Sequence, residues 1–135
     1  MGFWRKSAAG LFASVVIAGG GVVVSAGPAS AAQACPDGNL CLYASSGFTS
    51  MKMRTVQTHI CFALSSFQLV GDNQIMSYRN NLPVKAALWH TSPVDREWQP
   101  DGTIAPGAFS SNTGGNFNRA VVVCTGGRSP YWPGI

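Results

Sequence analysis

The side chains of this chain that could act chemically fall into four small groups. Residues 71–83, GDNQIMSYRNNLP, gather one acid, four side-chain amides and a serine, oxygen donors of the kind a hard cation takes. His59 and Cys61 stand two apart, so in a strand they share a face, as a nucleophilic thiol and its base must. Asp95 and Glu97, in PVDREWQPDG, are the closest carboxylates among five acids in all, and they read as an exposed loop. Four cysteines, Cys35, Cys41, Cys61 and Cys124, complete the set. The chain has no GxSxG, HExxH or P-loop. It has no CxxC either, and His59 and His90, 31 residues apart, sit at no recognised zinc spacing. An enzyme is not expected, and no cofactor is implied.

The compartment decides what the cysteines do. Arg5 and Lys6 precede a small, apolar stretch over residues 7–26, and Ala29-Ser30-Ala31 closes it with a small-x-small site, the pattern of a secretory signal peptide over residues 1–31. A membrane anchor is disfavoured because the run contains AGGG and a cleavage site follows at once. Cutting after Ala31 leaves 135 − 31 = 104 residues, one small extracellular domain with a marginal core that staples would help. An even cysteine count outside the cytosol reads as two disulfides. Three connectivities are open; the favoured one joins Cys35 to Cys41 across the turn-like PDGN and Cys61 to Cys124. On the chain-entropy model the local clip is worth roughly 2.4 kcal/mol and the long tie roughly 4.3 kcal/mol. That pairing also removes the Cys61 thiol from any catalytic role.

Charge excludes one class of partner. The two cations of the leader leave seven Lys/Arg against five Asp/Glu, and the seven are scattered, whereas nucleic-acid binders carry a basic stripe or a known motif. A soluble monomer with a protein partner, and no membrane contact after cleavage, is the expectation.

Periodicity along the mature part is that of strands. SMKMRTV alternates apolar and cationic residues, and LCLYA, ICFAL, IMSYRN, VKAALWH and AVVVC supply five more runs of strand-like composition. Between them lie PDGN, SSGF, VGDN, NNLP, PDG, APG and NTGGN. Short strands with turn signals at close intervals imply an all-β sandwich or barrel. Residues 125–135, rich in Gly and Pro, read as a loose tail whose Tyr131 and Trp132 are available to cover an edge. There is also an internal echo: Tyr43 and Trp89, 46 residues apart, each end a strand and are followed by a polar, turn-rich segment.

ACPDGNLCLYASSGF, CFALSSF, DNQIMSYRNNLPVKAALW and the closing VVVC together resemble a family of secreted bacterial peptidase inhibitors whose type member acts on metalloproteinases. The resemblance covers roughly residues 35–124 and implies a βγ-crystallin-like fold, a double Greek-key sandwich, for the domain at 32–124. In βγ-crystallins a glycine follows the hairpin aromatic by seven residues; here Ser50 follows Tyr43 and Arg96 follows Trp89. A non-glycine residue can take the positive φ at a cost of about 1 kcal/mol or more. The calcium pattern of that fold aligns with Asp72, Asn73 and Ser77, but Met76 stands where a hydroxyl ligand belongs, and a thioether suits a hard cation poorly. The second-half counterpart, NFNRAV, has Ala120 and Val121 at the hydroxyl positions. The segment therefore reads as a corner of the fold, with Asp72 and Asn73 capping local N–H groups, Ser77 tied back to a turn, and Ile75, Tyr78 and Leu82 buried. The type inhibitor's second close cysteine pair is missing, so its reactive bond does not transfer.

For an inhibitor the candidate segment is residues 90–106, stiffened by Pro93, Pro100 and Pro106, with Arg96, Glu97 and Trp98 as the contact residues. A secreted inhibitor of extracellular peptidases, metallopeptidases first, is the reading preferred; the alternative is a βγ-crystallin-type binding or structural module with weak calcium affinity at most.

Overall fold

The computed structural model describes residues 31–131; the leader at 1–30 and residues 132–135, with Trp132, lie outside them. Eight strands follow in order: β1 (Leu40–Ser45), β2 (Thr49–Thr55), β3 (Cys61–Ala63), β4 (Ser77–Asn80), β5 (Ala86–Thr91), β6 (Trp98–Ile104), β7 (Phe109–Ser110) and β8 (Val122–Thr125), with one 3-10 turn at Leu64–Phe67. They form two antiparallel four-stranded sheets, ordered β2-β1-β4-β7 and β3-β8-β5-β6. The third strand of each half has crossed to the sheet of the other half. This is the expected double Greek key.

Alternation explains what the sheets bury. Leu40 and Leu42 of β1, Met53 of β2, Leu88 of β5, Ile104 of β6 and Val123 of β8 point between the layers and are at most 2 % exposed. Leu64, Leu69, Ile75, Leu82 and Ala120 come from the connections and close the ends of the same core. Each fully buried aliphatic side chain contributes about 1.5–3 kcal/mol. That core is small, and the two predicted bridges, Cys35–Cys41 and Cys61–Cys124, are both present. Cys61 and Cys124 face each other directly in the β3–β8 ladder, so the long tie fastens a borrowed edge strand. It leaves His59 exposed, with Nδ1 3.4 Å from the Gly126 carbonyl oxygen and no thiol to activate.

The internal echo is a structural repeat. The β1–β2 and β5–β6 hairpins each carry a register shift just before the aromatic, at Leu42/Tyr43 and Leu88/Trp89. Seven residues beyond those aromatics, Ser50 has φ +56° and Arg96 φ +63°. Both take the left-handed turn that glycine usually serves, with its conformational cost intact. The corners repeat as well. Met76 N–H donates to the Tyr43 carbonyl and Val121 N–H to the Trp89 carbonyl, at 2.9 and 2.8 Å. Ser77 sits opposite Tyr43 as Val122 sits opposite Trp89. The counterpart of residues 72–77 is therefore 117–122, one position later than the sequence alignment of NFNRAV, and both hydroxyl positions in it are valines.

Two buried polar residues anchor the crossed strands. Asn80, at the end of β4, donates from Nδ2 to the carbonyls of Val84, Ile104 and Ala105 (3.0–3.2 Å), and its Oδ1 accepts the Leu82 N–H. Thr125, its counterpart on β8, accepts the Ile60 N–H at Oγ1 and donates its own N–H to the Ile60 carbonyl. Gly126 follows at φ +65°, where a Cβ would collide with the Thr58 carbonyl.

A second cover lies outside each sheet. Cys41 and Tyr43 face away from the core yet have no exposure, because the segment before β1 crosses over them. Gln33 N–H donates to the Phe48 carbonyl, Gln33 Oε1 accepts the Met51 N–H, and Tyr43 hydroxyl donates to the Gln33 carbonyl, all at 2.6–2.7 Å. On the other sheet Tyr131 meets Trp89 edge to face at 6.4 Å, and its hydroxyl donates to the Trp98 carbonyl. The segment expected as a loose tail is thus held as far as residue 131. Burial raises the Tyr43 phenol above its ordinary pKa, and the Arg79 charge partly offsets this.

Asn80→Ala is expected to lower the unfolding free energy by roughly 2–4 kcal/mol in urea denaturation, because three carbonyls and one N–H lose their partner together. Asn80→Asp, though isosteric, is expected to do no better, since it turns an acceptor toward carbonyl oxygens. Replacing Cys61 and Cys124 together by Ser is expected to cost about 4 kcal/mol.

Candidate functional site

The segment 71–83 resolves first. Ser77 Oγ donates to the Ser45 carbonyl (2.7 Å) and accepts the Phe48 N–H (3.1 Å), pinning the β1–β2 turn from the neighbouring strand. Thr113 hydroxyl holds the Ile75 carbonyl at 2.8 Å. Ile75 and Leu82 are buried, and Tyr78 packs on the core's edge with Phe117 at 6.0 Å. The Ser77 hydroxyl and the Ile75 carbonyl are thus both engaged in holding the corner. Asp72 and Asn73 differ from expectation: both are exposed, and among the described residues neither side chain caps an N–H. Only the Asn73 backbone closes the turn, donating to the Val70 carbonyl.

The segment 90–106 is not one loop. β6 occupies Trp98–Ile104, and Pro100 and Gly102 lie inside it. Pro is tolerated there because β6 is a sheet edge, where a missing N–H breaks no inner ladder. What remains is a hairpin loop of residues 92–97 between paired Thr91 and Trp98. The loop is closed by its own bonds: Ser92 N–H donates to the Glu97 carbonyl (2.8 Å), Arg96 N–H to the Ser92 carbonyl (2.9 Å), Val94 N–H to Ser92 Oγ (3.3 Å), and Glu97 N–H to Asp95 Oδ1 (3.1 Å). The Glu97 N–H, with a lesser contribution from the Ser92 hydroxyl, holds the Asp95 carboxyl below the usual aspartate range.

This geometry redistributes the candidate residues. Arg96 and Glu97 are exposed on the loop, whereas Trp98 is half-buried at the first position of β6. The tip is Val94, 91 % exposed between Pro93 and Asp95, and sequence reading passed it over. Its signal was present in SPVDRE: a serine and an aspartate, each two residues before the N–H it accepts, bracket one apolar residue.

At the root of the loop two side chains meet that sequence spacing did not bring together. His90 Nδ1 lies 2.7 Å from Asp101 Oδ1, with the two side chains 9 % and 6 % exposed. The shift at Leu88/Trp89 leaves Asp101 as the extra residue of β6 between Gly102 and Pro100, and a bulge of this kind re-aims a side chain. His90 also lines a cleft of about 300 Å³ with Thr91, Pro93, Arg119 and Val121. The result is a hairpin loop closed by its own hydrogen bonds, with an exposed apolar tip.

Comparison with protein families gives the class. A model of peptidase inhibitor family I36 matches residues 28–99, which is more than half of the chain, and the protein belongs to that family. It is a peptidase inhibitor by family, not an enzyme, and its partner class is a peptidase. A solved structure described as "Evolution of the eye lens beta-gamma-crystallin domain fold" is similar at 17 % identity, with 74 % of this chain and 88 % of that chain covered and a TM-score of 0.44. No curated protein matches the chain significantly.

Because the bound carboxylate form of Asp95 is favoured, its contribution to loop order is present above the ordinary aspartate pKa and is lost as pH falls through the lowered one. The Glu97 amide is therefore expected to titrate in NMR spectra with a midpoint below the usual aspartate range, and Asp95→Ala to abolish that titration.

Proposed function

We propose that the protein is exported and inhibits extracellular peptidases, metallopeptidases first, by lodging loop 92–97 in the active-site cleft. Family membership supports the inhibitor class, and the metallopeptidase target rests on the resemblance to the type inhibitor. Two disulfides in a small domain support export. Among the described residues no helix is long and apolar enough to cross a membrane.

One observation carries the loop assignment: Val94, almost fully exposed, at the tip of a six-residue loop whose own hydrogen bonds close it. An apolar side chain held outward on a loop closed by its own bonds can enter a cleft without reordering the backbone that carries it. Pro93 restricts the backbone before it, and Arg96 is held at positive φ after it. Such a segment loses little conformational freedom on docking. Arg96 and Glu97 then flank Val94 as charged contacts, while Trp98 supports the loop from β6.

Titration of the mature domain against metallo-, serine and cysteine peptidases is expected to show stoichiometric, saturable inhibition of a metallopeptidase. Val94→Asp is expected to weaken it at least a hundredfold with the unfolding midpoint unchanged. Full inhibition by that variant removes the loop from the contact, and inhibition confined to serine or cysteine peptidases removes the target class.

A further inference from the structure

A second built surface lies on the other sheet, away from the loop. Arg79 of β4 pairs with Phe109 of β7 in register, and its guanidinium carbon sits 4.5 Å from the Phe109 ring centroid and 4.9 Å from that of Phe48. Two aromatic contacts on one guanidinium restrain its plane. Its in-plane N–H donors are what remains for a ligand, and among the described residues they meet no acceptor and no ion-pair partner.

Of the two aromatic partners of Arg79, Phe48 is itself fixed. Phe48 holds φ +60°, a costly conformation for a bulky residue. It is kept there by its N–H on Ser77 Oγ, its carbonyl on Gln33 N–H and its edge-to-face contact with Tyr43 at 5.7 Å. Phe109 is 60 % exposed on an edge strand of two residues. Beside the Arg79–Phe48 contact opens a cavity of about 440 Å³, walled by Gln33, Tyr43, Phe48, Arg79 and Asn81 and also by Asp37. Arg flanked by solvent-facing aromatics is the composition of interface anchors.

We propose that this cavity is a receptor for a carboxylate, supplied by an acidic side chain of a protein partner. The fork of Arg79 takes the carboxylate in two parallel N–H···O bonds; Phe48, in the cavity wall, covers the aliphatic stem that carries it, and Phe109 acts through its contact with the guanidinium. Asp37 lines the mouth as a like charge and sets a limit on affinity. The site is independent of the inhibitory loop: it lies on the sheet that does not carry β5 and β6, and it shares no residue with them.

The test uses the oxidised mature domain and N-acetylglutamate N-methylamide as probe, with N-acetylglutamine N-methylamide as its neutral twin, at constant ionic strength. The expected result is a saturable shift of the Arg79 side-chain Nε–H and of the Phe48 and Phe109 ring signals with glutamate, at least tenfold larger than with glutamine. Arg79→Lys and Phe109→Ala are each expected to weaken binding at least fivefold, and Asp37→Asn to strengthen it. Equal response to the two probes overturns the proposal, as does a shift of exposed Arg54 or Arg119 as large as that of Arg79. Val94→Asp, which tests the loop, leaves this titration unchanged if the two sites are separate; loss of binding in that variant also overturns it.

Discussion

Neither half of this chain completes its own sheet. β3 belongs by sequence to the first half and lies at the edge of the second sheet, while β7 makes the reverse crossing. Each half is too small to bury one face alone, so exchanging an edge strand makes the two layers a single cooperative core. Strands of three and two residues cannot hold those edges by ladder bonds alone. The Cys61–Cys124 bridge secures one edge. Asn80 and Thr125 secure the connections to both, each buried at the end of a fourth strand and bonded to the crossing segment.

That shared frame is used differently by the two hairpins. In the first, the turn is short and is pinned from outside by Ser77, and the strap through Gln33 covers what the turn leaves open. In the second, Val122 replaces the serine, so no hydroxyl reaches across from β8. The β5–β6 loop is longer and supplies its own closure through Ser92 and Asp95. A hairpin freed from its neighbour can project further. The same repeat thus yields a covered face on one sheet and a protruding loop on the other, from the change of a few side chains.

Much of this was legible. Six of the eight strands announce themselves by alternation or apolar runs; cysteine parity called for two bridges and left three pairings open, of which the favoured one is present. The positive φ at Ser50 and Arg96 was readable as a displaced glycine. Other features were hidden for physical reasons. β6 contains Pro100 and Gly102, which read as a turn; only its place at a sheet edge makes them tolerable in a strand. Asp101 meets His90 because of a bulge, and a one-residue insertion in register leaves no mark in the spacing of either residue. Val94 looked like one apolar residue in a polar stretch; SPVDRE marks the turns on either side of it, but its exposure depends on what the rest of the fold leaves uncovered.

The sequence by itself determined the class of protein: strand periodicity, paired cysteines and the corner motif are local or pairwise properties, and each survives without knowledge of what lies across the core. Tertiary structure alone decided which residues stay exposed at the surface. Exposure depends on what the crossed strands, the strap before β1 and the segment after β8 happen to cover, and those contacts join residues far apart in the chain.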